Sequence, residues 1–318
     1  SNLHMHNEQQ QHHPLGPPNY LSSLPIDKNV GAKLFRYDNF GVKQDFDILH
    51  LSKSPQIFLL RNYISTLERY TLQWNARNHP KEFTVYRSQE EKSNKSGRSH
   101  SNVSWLPPLA ANGIPLTLAR CSAQLLLSPE MQQGKVRGLG LCQPMQLVRY
   151  DSDGEFILHH DALGRAVTVL SYLNGVAGTW FPLANFFDNN NTRYGGGPIP
   201  QNKQDTLQLI QDHDLQPGKD GLFFATGDGG HATGTERREE EEYDNDDSSI
   251  VRVHPGDAVV FYNYNGSSSN NNNSPDDDAM NHQLHDIDWS AIHAAMPATE
   301  EKFIATLWFQ GGPLIRHP

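Results

Sequence analysis

Short apolar runs separated by turn residues characterise the second half of the chain. Seven of these runs have the length and the content of β-branched or aromatic residues that are typical of strands. They are residues 145–150, 156–160, 166–173, 179–181, 251–253, 258–262 and 303–309. Turn residues lie between several of them, notably Asp153-Gly154 and Pro255-Gly256-Asp257. Many short strands without interleaved helices favour a sandwich or a barrel over an α/β fold.

The first half of the chain adds one strand and two helices. Residues 56–60 form an apolar run of strand length. The sequence Ser-Thr-Leu-Glu at 65–68 has the spacing of a capping box, which predicts a helix that runs to about Arg77. Its apolar residues on one face are Leu67, Tyr70 and Trp74. A second helix is predicted over 115–127, and both helices are expected to cover one side of a sheet.

Long polar segments interrupt this pattern. Residues 1–30 are predicted to be a disordered N-terminal tail, rich at its start in His, Gln, Asn and Pro. Residues 88–101 have the composition of a mobile surface loop. Polar, low-complexity inserts are predicted at about 185–249 and 266–279. Disorder is favoured for their Asn-rich and acidic tracts, and a substrate-selecting role is the alternative for the first insert.

The chain of 318 residues, 36% of them hydrophobic, is long enough for a domain with a substantial core. We expect residues 31–318 to form a single domain whose core strands lie within about 143–182 and 250–313. The fold class is therefore predicted to be mainly β with supporting helices.

Charge and cysteine content narrow the possible functions. The net charge of −10 disfavours a general affinity for the nucleic-acid backbone, so no nucleic-acid partner is expected. Cys121 and Cys142 are the only cysteines, which excludes a disulfide-dense scaffold; free thiols are favoured over a bridge between them. No run reaches the roughly 18 to 20 apolar residues of a membrane helix. A cytoplasmic or nuclear location is favoured, and the secretory pathway stays open.

A candidate metal site begins with His159 and Asp161. Side chains at positions i and i+2 of a strand project from the same face, so these two can reach one ion while His160 points the other way. Two imidazoles and one carboxylate are the facial ligand set of non-haem Fe(II) oxygenases. With 16 His and 36 acidic residues, roughly one His-x-Asp is expected by chance, so the pair needs support from elsewhere.

That support comes from His293 and Lys302 near the C-terminus. His293 supplies a third ligand, and Lys302 places a cation in an apolar strand, where an unpaired ammonium is costly. The combination suits an acidic cosubstrate that chelates iron at one end and needs a counter-charge at the other, and 2-oxoglutarate is such a molecule. His282 and His285 are rival third ligands without the same sequence context.

Four segments together resemble the prolyl 4-hydroxylase branch of the Fe(II)/2-oxoglutarate dioxygenases. They are Val148-Arg149-Tyr150 with Phe156 ahead of the His-x-Asp pair; Arg165, Thr168 and Tyr172-Leu173; Val253-x-Pro255-Gly256-Asp257-Ala258; and His293-Ala294-Ala295-x-Pro297 with Lys302. Two positions depart from the family pattern. Val176-Ala177-Gly178-Thr179 stands where the family has Gly-Gly-x-Thr, and Met296 stands where a Cys is usual.

The resemblance implies a double-stranded β-helix, or jelly roll, with Fe(II) held by His159, Asp161 and His293. It implies that Lys302 binds the distal carboxylate of 2-oxoglutarate and that Tyr150 and Thr179 donate hydrogen bonds to it. It places Arg165 and Trp308 near the substrate. The implied reaction uses O2 and 2-oxoglutarate to hydroxylate a proline-containing peptide or protein at proline C4, with release of succinate and CO2 and with ascorbate (vitamin C) as reductant.

Other functions remain open on the sequence. The same fold could oxidise another side chain, a small molecule or a nucleic-acid base, or it could be a non-catalytic binding module. Lys302 stands where base-demethylating relatives would carry Arg, which disfavours a base as substrate. The oligomeric state is not predicted.

Overall fold

The computed structural model describes residues 17–78, 84–86, 97–127, 144–161, 165–186, 200–227, 249–264 and 287–309. Its α-helices are α1 (Asn19–Ser22), α2 (Thr66–Asn78), α3 (Ile114–Leu126) and α4 (Lys203–Asp212). Its strands are β1 (Gly31–Tyr37), β2 (Lys43–Lys53), β3 (Gln56–Arg61), β4 (Thr84–Tyr86), β5 (Arg98–Leu106), β6 (Met145–His159), β7 (Val167–Tyr172), β8 (Thr179–Phe181), β9 (Leu222–Thr226), β10 (Ile250–Val253), β11 (Ala258–Tyr262), β12 (His293–Ala295) and β13 (Lys302–Phe309).

These strands form one continuous curled sheet with the order β1-β2-β3-β11-β7-β13-β6-β12-β8-β9-β10, and β5 and β4 extend it from β6. The named ladders are antiparallel except for the one between β9 and β10. Late strands are inserted between early ones, as in a jelly roll. The prediction of a mainly β, jelly-roll core with supporting helices is confirmed.

Successive side chains along the strands point to opposite faces of the sheet, so the sheet separates two hydrophobic cores. Ile57 and Leu59 of β3 belong to the core inside the roll, together with Phe224 of the opposite wall. Their neighbours Phe58 and Leu60 belong to the core outside it. Because successive strand residues point to opposite faces, the apolar runs of β3, β7 and β11 are buried on both sides of the sheet. This double burial explains why these strands could be predicted.

Helices α2 and α3 cover the outer face, as predicted. Leu72 and Ala76 of α2 join the outer core, and so do Leu118, Ala119, Ala123 and Leu126 of α3. The capping box also forms: the Ser65 backbone N–H donates to Glu68 Oε2 at 3.0 Å, and the Glu68 N–H donates to Ser65 Oγ at 3.3 Å.

The apolar face predicted for α2 is largely exposed and is not the face buried against the core. Leu67, Tyr70 and Trp74 do share a face, but they are 51%, 51% and 57% exposed. Glu68 is fully buried instead, because its carboxylate pairs with the guanidinium of Arg36 on β1. A paired charge can occupy the inner face of a helix where an apolar residue would be expected.

Two segments predicted to be polar and irregular contain ordered structure. Helix α4 and strand β9 lie within the insert predicted at 185–249, and β9 pairs with both β8 and β10. The last residues of the loop predicted at 88–101 form the start of β5. Most of the predicted tail, the insert at 266–279 with the nearby His282 and His285, and Cys142 lie outside the described residues. Cys121 carries a free thiol. Among the described helices, none is long and apolar enough to cross a membrane.

Candidate metal centre

Three predicted ligands converge where β6 meets β12. His159 is the last residue of β6, Asp161 follows just beyond it, and His293 opens β12 directly opposite His159 in the ladder. Their ligand atoms all lie within 4.8 Å of one another, with His159 Nε2 at 3.9 Å from Asp161 Oδ1. One ion can therefore contact all three side chains.

Backbone carbonyls fix the tautomers of both imidazoles. His159 Nδ1 lies 2.8 Å from the Ile157 carbonyl oxygen, and His293 Nδ1 lies 3.0 Å from the Ala291 carbonyl oxygen. Because a carbonyl only accepts, each Nδ1 carries the proton and each Nε2 keeps a lone pair. In metal sites, a hydrogen bond from the ring nitrogen that does not bind the metal orients the histidine and raises its basicity as a ligand.

The electrostatics keep the three groups in the states that bind metal. Burial lowers the pKa of His159, and His293 beside it lowers that pKa further. Burial also lowers the pKa of His293. Burial alone would raise the pKa of Asp161, but His293, His159, the Trp308 indole and Arg165 outweigh it and hold that pKa below its usual range. At neutral pH the site therefore presents two neutral imidazoles and one carboxylate.

One oxygen of Asp161 is held in place, which leaves the other available. Thr168 Oγ1 donates to Asp161 Oδ2 at 2.9 Å, and Trp308 Nε1 donates to the same oxygen at 3.0 Å. Asn263 in turn donates to Thr168 Oγ1 at 3.1 Å. Oδ1 faces His159, with Arg165 Nη1 at 3.4 Å. The two donors fix the carboxylate so that Oδ1 can bind a metal ion.

The ligands open into a cavity with an empty volume of about 440 Å³, part of it open to solvent. Tyr150, Thr179 and Lys302, the residues predicted to bind the cosubstrate, line it. Thr179 Oγ1 accepts a 2.8 Å hydrogen bond from the Tyr172 hydroxyl, so the proton of Thr179 is free to be donated. Burial raises the pKa of Tyr150, which therefore keeps its own proton.

Lys302 is the buried cation of this cavity. It is 1% exposed, its Nζ donates to the Ala177 carbonyl at 3.3 Å, and it lies over the Tyr150 ring at 4.5 Å. None of the described carboxylates forms an ion pair with it. Burial, reinforced by Arg98, lowers the pKa of Lys302 to about 7. An anion bound beside the ammonium group would stabilise its charged form and offset part of the free-energy cost of burying it.

Arg165 and Trp308, predicted near the substrate, form one unit beside Asp161. The Arg165 guanidinium lies 4.1 Å from the centroid of the Trp308 ring. Trp308 lines the cavity but is only 2% exposed, and its N–H is directed at Asp161. The structure thus shows a contact between Trp308 and Asp161 that the sequence did not indicate.

All eight predicted site residues therefore lie together, and four more join them. Thr168 acts on Asp161, and its only signal in the sequence was its place in a matched segment. Phe156 stacks on the His159 ring with centroids 3.6 Å apart. Arg98 and Gln146 also line the cavity and hydrogen-bond to each other. Arg98 was missed because its segment has the composition of a loop.

The donor set fits a divalent first-row metal ion such as Fe(II). Imidazole nitrogens and a carboxylate oxygen match its ligand preference, and with only three protein ligands the ion would keep positions open for other molecules. His159, Asp161 and His293 would hold the ion, and Thr168 and Trp308 would orient Asp161.

No protein-family model matches the sequence, and no curated protein matches it significantly. Similar solved structures include a Pseudomonas putida prolyl-4-hydroxylase, with a TM-score of 0.40 and 13% identity over 82% of this chain and 95% of that one. A prolyl hydroxylase from Trichoplax adhaerens, in complex with a peptide fragment of the oxygen degradation domain of hypoxia inducible factor, has a TM-score of 0.39 and 12% identity over 80% and 83%. OsALKBH1 has a TM-score of 0.34 and 13% identity over 81% and 97%. Prolyl hydroxylases are therefore among the similar structures, and likeness at this level shows neither activity nor substrate.

Proposed function

We propose that this protein is an Fe(II)- and 2-oxoglutarate-dependent oxygenase that hydroxylates a peptidyl substrate, with prolyl 4-hydroxylation as the expected reaction. One observation carries the proposal: a His-Asp-His cluster shares a cavity with Lys302, a buried cation that forms no ion pair with a described carboxylate. A metal ion and an acidic chelator would satisfy both at once.

Iron and 2-oxoglutarate, when bound, would supply the oxidising chemistry in which O2 is consumed, 2-oxoglutarate gives succinate and CO2, and one oxygen atom enters a substrate C–H bond. The residues of the chain bind and orient the reactants. Lys302 would hold the distal carboxylate of 2-oxoglutarate, because a buried ammonium gains most from an anionic partner. The hydroxyl groups of Tyr150 and Thr179 would donate to the same cosubstrate.

The cavity would also keep the reaction away from bulk water. Phe156, Leu170 and Ile304 give its wall an apolar character around the polar groups. A site of low polarity strengthens the hydrogen bonds of Asp161 and protects reactive species from side reactions.

Proline as the target is supported by the four sequence segments that resemble prolyl 4-hydroxylases. An oxygenase of the same fold with another substrate and a non-catalytic binding module are the alternatives. An assay for peptide oxidation distinguishes these three possibilities.

The test is incubation of the purified protein with Fe(II), 2-oxoglutarate, ascorbate and a library of proline-containing peptides. We expect succinate to form and a peptide to gain one oxygen atom on proline, with both lost in His159→Ala and kept in the control His254→Ala, which replaces an exposed histidine. Succinate without any peptide product would point to another substrate. Failure of the wild-type protein to bind any divalent ion would overturn the enzyme proposal.

A further inference from the structure

Arg98 is a second cation in the cavity, and it is only partly satisfied. It begins β5 directly opposite Phe156 of β6. Its Nη2 donates to Gln146 Oε1 at 3.0 Å, whereas its Nη1 is buried and has no hydrogen-bond partner among the residues that the structure describes. A buried guanidinium N–H without an acceptor is costly, so a ligand oxygen that reached this atom would remove that cost.

Arg98 is held close to the reacting centre. Its guanidinium carbon lies 4.1 Å from the Phe156 ring centroid, and that ring stacks on His159 at 3.6 Å. The planar guanidinium is thereby fixed in direction by the cation–π contact and the Gln146 bond. The two stacking distances limit the separation between the Arg98 guanidinium and the His159 ring to at most about two residues of an extended peptide.

None of the carboxylates in the described ranges forms an ion pair with Arg98. Among the described residues that line it, Arg98 and Lys302 are cationic and Asp161 is the one acid. Fe(II) and doubly charged 2-oxoglutarate cancel each other, so the loaded cavity keeps the surplus positive charge of its residues. Lys302 is buried and suits the cosubstrate, while Arg98 is half-buried and lines the same cavity, where a second molecule could contact it.

We propose that Arg98 binds a carboxylate of the peptide substrate, so that the protein selects Glu or Asp within about two positions of the residue that reacts. This inference rests on the proposed function and names a property of the substrate that the function leaves open. A carboxylate would accept from Nη1 and neutralise the surplus charge. Arg98 then determines specificity without contacting the metal ion.

Binding without turnover tests the proposal. The protein is loaded with Mn(II) and 2-oxoglutarate under argon, and fluorescence anisotropy reports the binding of labelled peptides. Each peptide has one proline and carries Glu, Gln or Lys at one of the two positions on either side. We expect the best Glu peptide to bind wild-type protein at least about tenfold more tightly than its Gln counterpart, which is the strength of a charge-assisted hydrogen bond.

Two variants assign the preference to Arg98. In Arg98→Gln the preference for Glu should fall to within about twofold. In Arg149→Gln it should persist, because Arg149 pairs with Asp151 and Glu301 and does not line the cavity. Equal thermal midpoints of the variants and the wild type show that each is folded.

Several outcomes would overturn the inference. They are equal binding of Glu and Gln peptides by the wild type, no peptide binding at all, or an unchanged preference in Arg98→Gln. Calorimetric titration with 2-oxoglutarate separates this failure from that of the proposed function. Wild-type protein that binds 2-oxoglutarate but shows no preference contradicts only the role of Arg98, whereas protein that binds no 2-oxoglutarate contradicts both. A loss of 2-oxoglutarate binding in Arg98→Gln would assign Arg98 to the cosubstrate instead.

Discussion

His159 and His293 lie directly opposite each other in the ladder between β6 and β12, with imidazole centroids 4.2 Å apart. Each ring donates its Nδ1 proton to a carbonyl two residues earlier in the chain. The same local geometry thus occurs on both strands and leaves the two Nε2 atoms for one ion. Asp161 completes the set from the end of β6.

Removal of either histidine should abolish stabilisation by metal. A ligand that binds only the folded state stabilises it by about 2.7 kcal/mol at a concentration of 100 times its Kd. We therefore expect Mn(II) to raise the melting temperature of wild-type protein and of His254→Ala, but not of His159→Ala or His293→Ala. Differential scanning calorimetry with and without EDTA measures this. An equal rise in His159→Ala would contradict the assigned site.

The two side chains that donate hydrogen bonds to Asp161 Oδ2 should increase the affinity of the site for a metal ion. Thr168→Val removes the hydroxyl that donates to Oδ2, and Trp308→Phe removes the indole N–H. Loss of such outer partners typically costs 10- to 100-fold in metal affinity, and we expect about that for each variant. Thr168→Ser keeps the hydroxyl and should bind Mn(II) nearly as well as the wild type. Calorimetric titration gives the three affinities, and equal values for Val and Ser would refute this role.

The substitution Lys302→Met should weaken the binding of 2-oxoglutarate but stabilise the protein that has no cosubstrate bound. Without its cation the cavity should lose about 100-fold in affinity for 2-oxoglutarate, because the distal carboxylate would be buried unpaired. The cosubstrate-free protein should melt at a higher temperature, since the variant removes a buried ammonium that has no carboxylate partner among the described residues. Lys302→Arg, which retains a positive charge, serves as the control for the binding arm. An unchanged affinity in Lys302→Met would exclude Lys302 as the cosubstrate cation.

The pKa of Lys302 also predicts a pH dependence. Burial lowers this pKa from 10.5 to about 7, so between these values the unfolded chain holds a proton that the folded chain lacks. The contribution of Lys302 to stability should therefore rise with pH across that window, since stability rises wherever the unfolded state binds more protons. Binding of a carboxylate needs the protonated amine, so affinity for 2-oxoglutarate should fall as pH rises above about 7. Titrations at several pH values test this, and a flat profile that matches Lys302→Met would count against it.

Substitution of two glycines by Ala tests whether residues 200–227 pack against the sheet. A Cβ on Gly221 would lie 2.0 Å from the Phe181 carbonyl oxygen on β8, and its φ is +70°. Gly218 has a similar φ of +80°, but a Cβ there would meet nothing closer than 3.8 Å. We expect Gly218→Ala to cost about 1 kcal/mol from backbone strain alone, and Gly221→Ala to cost roughly 3 kcal/mol or more. Urea denaturation compares them, and equal losses would indicate that this segment does not pack on β8.

The sequence predicted strands such as β3, β7 and β11, whose two faces are both buried, because uninterrupted apolar runs are visible without knowledge of their neighbours. Among the strands that it missed is β5, whose sequence Arg-Ser-His-Ser-Asn-Val-Ser-Trp-Leu is largely polar. It also missed β9, a short apolar run inside a tract whose overall composition is polar. Burial in both cases depends on β6 and β8, which are distant in sequence.

The residue types of the site could be predicted, but part of its geometry could not. In a His-x-Asp pair on a strand, the spacing alone places the two side chains on the same face. The position of Arg98 depends instead on the ladder between β5 and β6 and on its irregularity between Ser99 and Ser101. The orientation of Trp308 toward Asp161 likewise depends on neighbouring strands, because β13 pairs with both β6 and β7. Non-local pairing of this kind leaves no local signal.

The short strand β12 gives the metal site a role in holding the chain together. It has three residues, Met296 follows it, and a long stretch of chain separates it from β6. An ion bound by His159, Asp161 and His293 would act as a non-covalent staple that closes this large loop. Closure of long loops by metal clips gives, in theory, the largest entropic gain. Loss of the ion should then loosen β12 first, before the strands that are held by their own apolar faces.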